Sequence, residues 1–245
     1  MANLRIATWN VGQDLESNEI TYLSYDRIKN EIINNNIDIV CFQEAITESE
    51  KLEHLSKYIS KNTDLKYCAE ISLSPSDVNL NDKMGVAICS KYEINNNEKF
   101  ILENPNLIYK KTEEITYWSH DKGFNISRIE PLGITVIEGH CLPFHIFKKS
   151  PDEYKHIYNK LEEKVLEKIE RDNKVIFLGD FNYEDIFALF PRLKDKMKLV
   201  YENQKTRKDK QFDNVLITIN IKDISYEIID AKFDHTLCIV ELEID

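Results

Sequence analysis

The sequence predicts an α/β (α+β) fold built on mixed β-sheets. Short apolar runs rich in Val and Ile recur along the whole chain, as is typical of buried strands. Segments with helical spacing of apolar residues separate some of these runs, whereas other runs follow each other closely toward the C-terminus. This arrangement favours a mixed sheet over a purely parallel one. We expect a single domain over residues 1–245, because folding a chain of this size buries roughly 70–75% of its extended surface.

The strands are predicted from seven apolar runs. These runs cover residues 4–9, 37–42, 85–89, 134–137, 175–178, 212–217 and 237–242. Each is short and bounded by polar or turn residues, which distinguishes a strand from a buried helix. The framework of the fold should therefore consist of these seven strands.

Two helices are predicted between the strands. The clearer one covers residues 151–171, and it has a strong start signal: Ser150 as N-cap, Pro151 at the first position and Glu153 three residues after the cap. The second covers residues 22–34. Residues 103–124 show no clear period, so we interpret them as a long loop or irregular excursion, a type of segment that is often functional.

Composition limits the classes of function. The 32 Lys and Arg and 43 Asp and Glu give a net charge of −11, which argues against a protein that holds nucleic acid mainly by non-specific charge. A nuclease is still allowed, because a bound cation and a local basic rim act within the screening length of about 8–10 Å.

The cysteines and the hydropathy bear on the compartment. Five cysteines are present without a CxxC pair, and most lie in apolar runs, so we expect reduced, buried thiols and no zinc or redox site. Residues 1–10 contain no basic region followed by an apolar stretch, so we expect no signal peptide, and no run approaches the roughly 18 apolar residues of a membrane span. We expect a cytoplasmic monomer without a transmembrane segment.

Polar side chains that can do chemistry lie at the ends of the predicted strands, where a rigid sheet can aim them into one cleft. They are Asn10, Glu44, His140, Asp180, Asn182, Asp213, Asp234 and His235. Taken singly, most have a structural explanation, because Asn and Asp favour turns and caps and a lone histidine is often structural. Asp213 is harder to explain, because a carboxylate within an apolar strand needs a partner.

Taken together, these residues meet the needs of phosphoester hydrolysis. Mg²⁺, or Mn²⁺ in its place, prefers oxygen ligands, and Glu44 and Asp234 suit that role. Asp180 suits a general base that takes a proton from water. Asn182 and Asn10 suit amide groups that hold the water, the metal ligand or a phosphate oxygen.

The two histidines suit the charge that develops during the reaction. His140 and His235 can neutralise the phosphate or protonate the leaving oxygen, and Asp213 is the predicted partner of His235. His140 and Asn182 are also the predicted contacts to the substrate phosphate.

The order of the motifs resembles the endonuclease/exonuclease/phosphatase superfamily, which includes deoxyribonuclease-I-like and exonuclease-III-like enzymes. The motifs are Thr8-Trp9-Asn10-Val11, residues 38–44, Gly85-Val86-Ala87-Ile88, Gly139-His140-Cys141-Leu142-Pro143, Gly179-Asp180-Phe181-Asn182, residues 212–217 and Asp234-His235. The resemblance runs from residue 4 to about 243. It implies a four-layer α/β sandwich, in which two mixed sheets pack face to face with helices outside and a cleft lies at one edge.

The resemblance also implies roles for the residues. Glu44 would be the principal metal ligand, with Asn10 close to it and Asp234 as a metal-side carboxylate. Asp180 would orient or deprotonate the water, and Asn182 would contact the reacting phosphate. The Asp213–His235 pair would stabilise the transition state, and His140 would lie near the scissile phosphate.

Two departures bear on the substrate. Exonuclease-III-like repair enzymes tend to carry an acidic residue two positions after the first Asn, where this chain has Gly12. They also usually carry Tyr at the position of His140. Abasic-site repair and two-metal proposals are therefore less favoured than deoxyribonuclease-like, deadenylase-like or lipid-phosphodiesterase activities.

Three hypotheses on function follow. The first is a nuclease for DNA or RNA, favoured by the basic residues Lys205, Arg207 and Lys208, which would hold a phosphate backbone unless they are simply solvated loop charge. The second is a phosphatase or phosphodiesterase for a small or lipid phosphoester such as a phosphoinositide, sphingomyelin or nucleotide, and the net charge suits it at least as well. The third is an inactive binding module on the same fold, which is disfavoured because the principal catalytic residues are all present.

Overall fold

The computed structural model describes residues 2–76 and 81–244, which form two six-stranded sheets, a two-stranded hairpin and four α-helices. The strands are β1 Ala2–Asn10, β2 Ile39–Glu48, β3 Tyr67–Pro75, β4 Lys83–Ser90, β5 Asn96–Ile101, β6 Ile108–Lys110, β7 Thr116–Trp118, β8 Gly123–Ile129, β9 Ile134–His140, β10 Val175–Asp180, β11 Met197–Leu199, β12 Asp213–Thr218, β13 Lys222–Ile229 and β14 Leu237–Ile244. The helices are α1 Tyr22–Asn34, α2 Leu55–Asn62, α3 Lys155–Asp172 and α4 Ile186–Leu189. Short 3₁₀ helices occur at Glu130–Leu132, Phe144–Phe147, Pro151–Tyr154 and Pro191–Leu193.

Both large sheets are mixed, as the sequence predicts. The first has the strand order β13-β14-β1-β2-β4-β3, and its parallel pair is β1 with β2. The second has the order β11-β12-β10-β9-β8-β5, and its parallel pair is β9 with β10. The other pairings within the two sheets are antiparallel.

Three apolar clusters separate four layers. Helices α1 and α2 cover the outer face of the first sheet, where Tyr25, Ile28 and Ile59 share a cluster with Trp9 and Phe42. Helix α3 covers the outer face of the second sheet in the same way. A third cluster lies between the inner faces of the two sheets. The four-layer sandwich implied by the resemblance is therefore confirmed.

Side-chain alternation explains how polar residues from both sheets come together. Even-numbered apolar residues of β1, β9 and β10 lie in the cluster between the sheets. Because side chains alternate along a strand, Asn10, His140 and Asp180 at the ends of these strands point into the same space. Asp213 begins β12 in phase with the inward-facing residues of that strand. The polar ends of both sheets thus meet at one edge.

The predicted elements are present, with differences at their boundaries. The helix predicted over 151–171 begins as the 3₁₀ turn Pro151–Tyr154 before α3 starts at Lys155. Its predicted capping box is there: Asp152 N donates to Ser150 Oγ at 3.2 Å, and Ser150 N donates to Glu153 Oε1 at 3.1 Å.

The excursion over 103–124 is more ordered than predicted, because it contains the hairpin β6–β7 and the start of β8. The sequence does not predict strands β3, β5, β8, β11 and β13 or helices α2 and α4. Strands β3, β5 and β13 lie at sheet edges and mix exposed with half-buried positions, so they lack a continuous apolar run. Among the described residues, no helix is both long and apolar enough to cross a bilayer.

Candidate active site

Asp180 ends β10 and is buried between two histidines. Its Oδ2 lies 3.3 Å from His140 Nε2 and 3.7 Å from His235 Nε2, and it accepts a hydrogen bond from Asn10 Nδ2 at 3.0 Å. Burial alone would raise the pKa of Asp180, but the two histidine charges and the Asn10 hydrogen bond hold it well below its usual range. Asp180 is therefore an oriented anion, and Asn10 reaches it from the opposite sheet.

His235 and Asp213 form a buried hydrogen-bonded pair. His235 Nδ1 lies 2.8 Å from Asp213 Oδ2, and both side chains are buried. Burial lowers the pKa of His235, but the carboxylates of Asp213 and Asp180 outweigh it and raise that pKa to about 9. His235 is thus a cation at neutral pH, with Nδ1 held by Asp213 and Nε2 directed toward Asp180.

His140 is held from the other side by Lys122, which lies at the start of β8. The Nζ atom of Lys122 is 3.1 Å from His140 Nδ1. His140 Nε2, the ring nitrogen nearest Asp180, also lies 2.9 Å from Asn182 Nδ2. Lys122 Nζ also lies 3.7 Å from Glu44 Oε1, so one cation supports both side chains.

Glu44 enters the cleft because β2 carries a bulge. The register of β2 against β4 shifts between Gln43 and Ala45, and Glu44 has a left-handed φ of +55°. In a regular strand Glu44 would alternate with Gln43 and point outward, toward the helices; the bulge turns it inward. Burial opposes ionisation of Glu44, but Lys122 and His140 lower its pKa below the usual value.

Gly12 leaves the space that the Glu44 carboxylate occupies. A Cβ atom at residue 12 would lie 1.9 Å from Glu44 Oε2 and 2.7 Å from Glu44 Cβ. An acidic side chain at this position, as in the repair enzymes, is therefore incompatible with Glu44 as placed here. The departure noted in the sequence thus has a steric consequence at the site.

The turn after β10 depends on unusual backbone angles. Gly179 has φ of +147°, and a Cβ there would lie 2.0 Å from Gly139 O of the neighbouring strand, so only glycine fits. Asn182 adopts a left-handed φ of +52°, which Asn tolerates better than most residues. Its backbone N donates to Asp180 Oδ1 at 2.9 Å, and its Nδ2 lies 2.9 Å from His140 Nε2. The turn therefore fixes Asp180 and places the Asn182 amide beside His140.

Asp234 borders the cleft but is already paired. Arg207 approaches Asp234 Oδ2 through Nε and a terminal nitrogen, each at 2.7 Å. This pair lies next to His235 at the rim of the cleft. The structure thus brings Arg207 from the predicted basic cluster to the site, together with its counter-ion.

The other two lysines of the basic cluster lie elsewhere. Lys205 lines a separate depression together with Glu184 and Asp209. Lys208 is exposed and does not line the cleft. The structure therefore does not bring Lys205 and Lys208 to the site as predicted, because the side chains on either side of Arg207 point away from the cleft that Arg207 lines.

The cleft between these residues has a volume of about 190 Å³. Its floor is formed by the predicted residues Asn10, Glu44, His140, Asp180, Asn182 and His235. Its walls come from the hairpin and from the turn after β9, and they include Tyr117, Trp118, His120, Ile146 and Phe147. The site is a compact pocket with a charged floor and aromatic walls.

Two groups of side chains offer oxygen or nitrogen ligands to a cation. One ligand atom each from Asp180, Asp213 and His235 lies within 4.8 Å of the others, a spacing that a metal ion can span. Glu44 offers a second position, since its partly exposed carboxylate accepts no hydrogen bond from the described residues, and the basic side chains within 4 Å of it in the described chain are Lys122 and His140. A carboxylate with free lone pairs facing a cleft fits a hard divalent cation.

Sequence reasoning missed Lys122 and the structural role of Gly12. Lys122 follows the irregular segment 103–121, and no motif marks it. Its importance comes from the distance to His140 and Glu44, which only the folded chain sets. The aromatic wall has a weak signal in the sequence, because Tyr117 and Trp118 lie in residues 103–124, an irregular segment of the type that is often functional.

Comparisons with known proteins agree with this geometry. The model of the Endonuclease/Exonuclease/phosphatase family matches residues 7–215. No curated protein matches the chain.

Solved structures share the fold at low sequence identity. An endonuclease/exonuclease/phosphatase from Bacteroides vulgatus has a TM-score of 0.67 at 17% identity, covering 100% of both chains. A mannosyl-6-phosphatase from Bacteroides thetaiotaomicron has a TM-score of 0.65 at 14% identity, covering 98% of this chain and 99% of that chain. The human Nocturnin catalytic domain, solved with a bound sulfate anion, has a TM-score of 0.68 at 13% identity, covering 99% of this chain and 95% of that chain.

Proposed function

The chain belongs to the endonuclease/exonuclease/phosphatase family, and we propose that it is a divalent-metal-dependent hydrolase of small or terminal phosphoesters. Members of this family are phosphoester hydrolases. The observation that carries the proposal is the Asp180 carboxylate, ionised and held by Asn10 between His140 and His235 at the floor of a cleft. This arrangement places a carboxylate that can orient water next to two histidines that can bind a phosphate.

Asp180 orients the attacking water and accepts its proton. In the free protein the pKa of Asp180 is too low for an efficient base, because two histidine charges surround it. When the negative charge of a phosphate enters among the same histidines, it offsets them and raises the pKa of Asp180 toward the working range. Substrate binding thus prepares the base.

The histidines and amides hold the phosphate. His235, kept cationic by Asp213, neutralises charge that develops on the phosphoryl oxygens. His140 lies at the same point of the cleft and, when its ring carries a proton toward the substrate, donates to a phosphoryl or leaving oxygen, with the Asn182 amide 2.9 Å from its Nε2. Lys122, 3.1 Å from Nδ1, holds the ring from the other side.

The metal belongs on the Glu44 side of the cleft. Asp213 Oδ2 is engaged by His235 Nδ1 at 2.8 Å and the Asp213 side chain is fully buried, whereas the Glu44 carboxylate is partly exposed to the cleft. Glu44 would hold Mg²⁺ or Mn²⁺, with the amide oxygen of Asn10 nearby and Asp234 at the rim. When bound, the cation supplies a Lewis acid that withdraws charge from the phosphate oxygens.

The size and charge of the cleft favour a small or terminal phosphoester over a long duplex. The lysine and arginine side chains that line it within the described chain are Lys122 and Arg207, and both have carboxylate partners. Of the three basic residues that favour the nuclease hypothesis, Arg207 lines the cleft, whereas Lys205 and Lys208 lie outside it. With a net charge of −11, the surface offers little counterion release to a long polyanion. A nuclease that trims single-stranded ends is the second candidate, favoured by the exposed aromatic wall.

The test is hydrolysis of a panel with Mg²⁺ and with a chelator: ribose 5-phosphate, AMP, a single-stranded oligonucleotide and supercoiled plasmid. We expect metal-dependent turnover of a small ester or of oligonucleotide ends while the plasmid stays supercoiled. Asp180→Asn should reduce this turnover by roughly 10²- to 10⁴-fold, the usual contribution of a general base. The control Asp195→Asn, at an exposed carboxylate, should retain full activity. The absence of metal-dependent turnover on every substrate, or rapid nicking of the plasmid, would contradict the proposal.

A further inference from the structure

Trp118 is an exposed aromatic ring at the mouth of the cleft. It ends β7, lines the cleft together with Tyr117 and is 59% exposed. No other aromatic ring and no cation packs on the indole among the residues that the structure describes. Large apolar rings are usually covered in a folded protein, and an uncovered one beside a reaction centre is a candidate binding surface.

The hairpin that carries Trp118 is anchored to the body of the protein. Leu107 N donates to Ser119 Oγ at 2.7 Å, and Ser119 Oγ donates to Asn104 Oδ1 at 2.6 Å. Leu107 packs against the core cluster under α3. Trp118 lies directly between this anchor and the rest of β7, so its backbone is fixed relative to the catalytic floor. A ligand that stacks on the ring therefore loses little free energy to ordering the hairpin.

Two lysines beside the hairpin are held by rings rather than by carboxylates. Lys148 Nζ lies 4.8 Å from the centroid of the Tyr109 ring, and Lys111 Nζ lies 5.8 Å from the centroid of Tyr117. Neither lysine forms an ion pair with a carboxylate within the described residues. In a protein of net charge −11, these cations mark a local surface that attracts anions.

We propose that the β6–β7 hairpin binds a nucleobase of the substrate, with the Trp118 indole as the stacking surface, an inference that rests on the proposed function. A substrate with a planar base next to its reacting phosphate would cover the exposed indole. Further phosphates of the same substrate would pair with Lys111 and Lys148. An acyl chain would have no use for these cations, and a plain sugar phosphate would leave the indole largely uncovered. The base must be free to stack, so the substrate is a nucleotide or a single-stranded end and not a duplex.

The first experiment compares AMP with ribose 5-phosphate, which is the same ester without the base. For Trp118→Ala we expect kcat/KM on AMP to fall by about 5- to 150-fold, the range that corresponds to losing one base–aromatic stack. Activity on ribose 5-phosphate should stay unchanged. Trp118→Phe should keep most of the activity on AMP, because a flat ring is retained. Ile115→Ala is the matched control, since Ile115 is exposed on the same hairpin but does not line the cleft.

The second experiment uses fluorescence. The chain has two tryptophans, and Trp9 is fully buried, so exposed Trp118 reports on stacking. In the Asp180→Asn background, which consumes the ligand much more slowly than the wild type, AMP should quench tryptophan emission and ribose 5-phosphate should not. Trp118→Phe should abolish the quenching. Titration with a single-stranded oligonucleotide then distinguishes the two sources of the base. Half-maximal quenching at a lower concentration of oligonucleotide than of AMP indicates that the substrate is a strand end, and at a higher concentration it indicates a free nucleotide.

The outcomes separate this inference from the proposed function. Equal losses on AMP and ribose 5-phosphate for Trp118→Ala, or no loss on either, overturn base stacking while hydrolysis stands. The absence of quenching by both AMP and the oligonucleotide overturns it as well. If no ester is hydrolysed by the wild-type protein, the proposed function fails, and the fluorescence titration alone decides whether the hairpin binds a base.

Discussion

At the scale of the residue, the site depends on a chain of charges that fix one another's protonation. Asp213 holds a proton on His235, and His235 and His140 in turn keep Asp180 ionised. Each carboxylate is buried, so each depends on its partner for ionisation. A substitution of Asp213, which does not line the cleft, should therefore change the titration of His235, which does.

Replacing Asp213 by Asn should lower the pKa of His235. Burial lowers the pKa of His235, and the charge of Asp213 is the main influence that raises it to about 9. The loss of a neighbouring opposite charge shifts a pKa by about 1–3 units. NMR titration of the His235 imidazole in both proteins measures the change. Asp209→Asn, which removes an exposed carboxylate from the adjacent loop, should leave the titration as it is. The same midpoint in Asp213→Asn and wild type would refute the pairing.

At the scale of the element, irregularities in the strands and turns position the catalytic groups. The bulge in β2 turns Glu44 inward, and the left-handed turn after β10 places Asn182 beside His140. Regular strands would have sent these side chains elsewhere, because alternation fixes their direction. The close fit of Gly12 against Glu44 shows how narrow the tolerance is.

Gly12→Ala should therefore weaken metal-dependent activity by displacing Glu44. The added methyl would meet Glu44 Cβ as well as its carboxylate, so a change of rotamer alone cannot relieve the contact. We expect the Mg²⁺ concentration for half-maximal activity to rise by about 10- to 100-fold, as for other changes that misplace a metal ligand.

Gly133→Ala serves as the control for this variant. A Cβ at residue 133 meets no atom within 4 Å, although its φ of +61° strains an alanine. It should lower stability without changing the Mg²⁺ dependence. If the two variants show the same Mg²⁺ dependence, displacement of Glu44 is not the cause.

At the scale of the whole molecule, the two sheets enclose a polar group that the catalytic proposal does not use. Glu138 of β9 points between the sheets, is fully buried and accepts a hydrogen bond from Asn125 Nδ2 at 2.6 Å. Its second oxygen has no partner among the described residues. Burial raises the pKa of Glu138 to about 8, so the folded protein carries this group protonated at neutral pH.

This proton makes the stability of the whole fold depend on pH. Between the unfolded pKa of 4.5 and the folded pKa of about 8, the folded chain binds one more proton than the unfolded chain. The contribution of Glu138 to the free energy of unfolding should therefore be largest below about pH 4.5 and fall with rising pH, by up to about 1.4 kcal/mol per unit, until about pH 8.

Glu138→Gln should remove that dependence, because glutamine is nearly isosteric and stays neutral. In urea unfolding at pH 5, 6, 7 and 8, the free energy of unfolding of the variant should increase relative to that of the wild type at each step. Glu113→Gln, at a fully solvated position, should differ from the wild type by the same amount at every pH. Parallel stability curves for Glu138→Gln and the wild type would show that Glu138 ionises in the folded protein as it does in the unfolded chain.

The strands of the two inner faces and the polar residues at their ends were predictable from local pattern. Short apolar runs rich in Val and Ile indicate buried strands, and Asn10, His140 and Asp180 stand at the ends of such runs, with Asp213 inside another, so their convergence was predictable. The edge strands escaped prediction because half-exposed positions carry little pattern.

Long-range contacts set which side of the cleft each remaining group occupies. Lys122, the inward turn of Glu44 and the exposure of Trp118 arise from contacts between segments far apart in the chain. Lys205 and Lys208 diverge from Arg207 because the path of the loop, and not their spacing, sets their direction. Local sequence pattern sets which face of a strand a residue occupies. Long-range packing sets which groups lie opposite that residue, and these groups define the substrate.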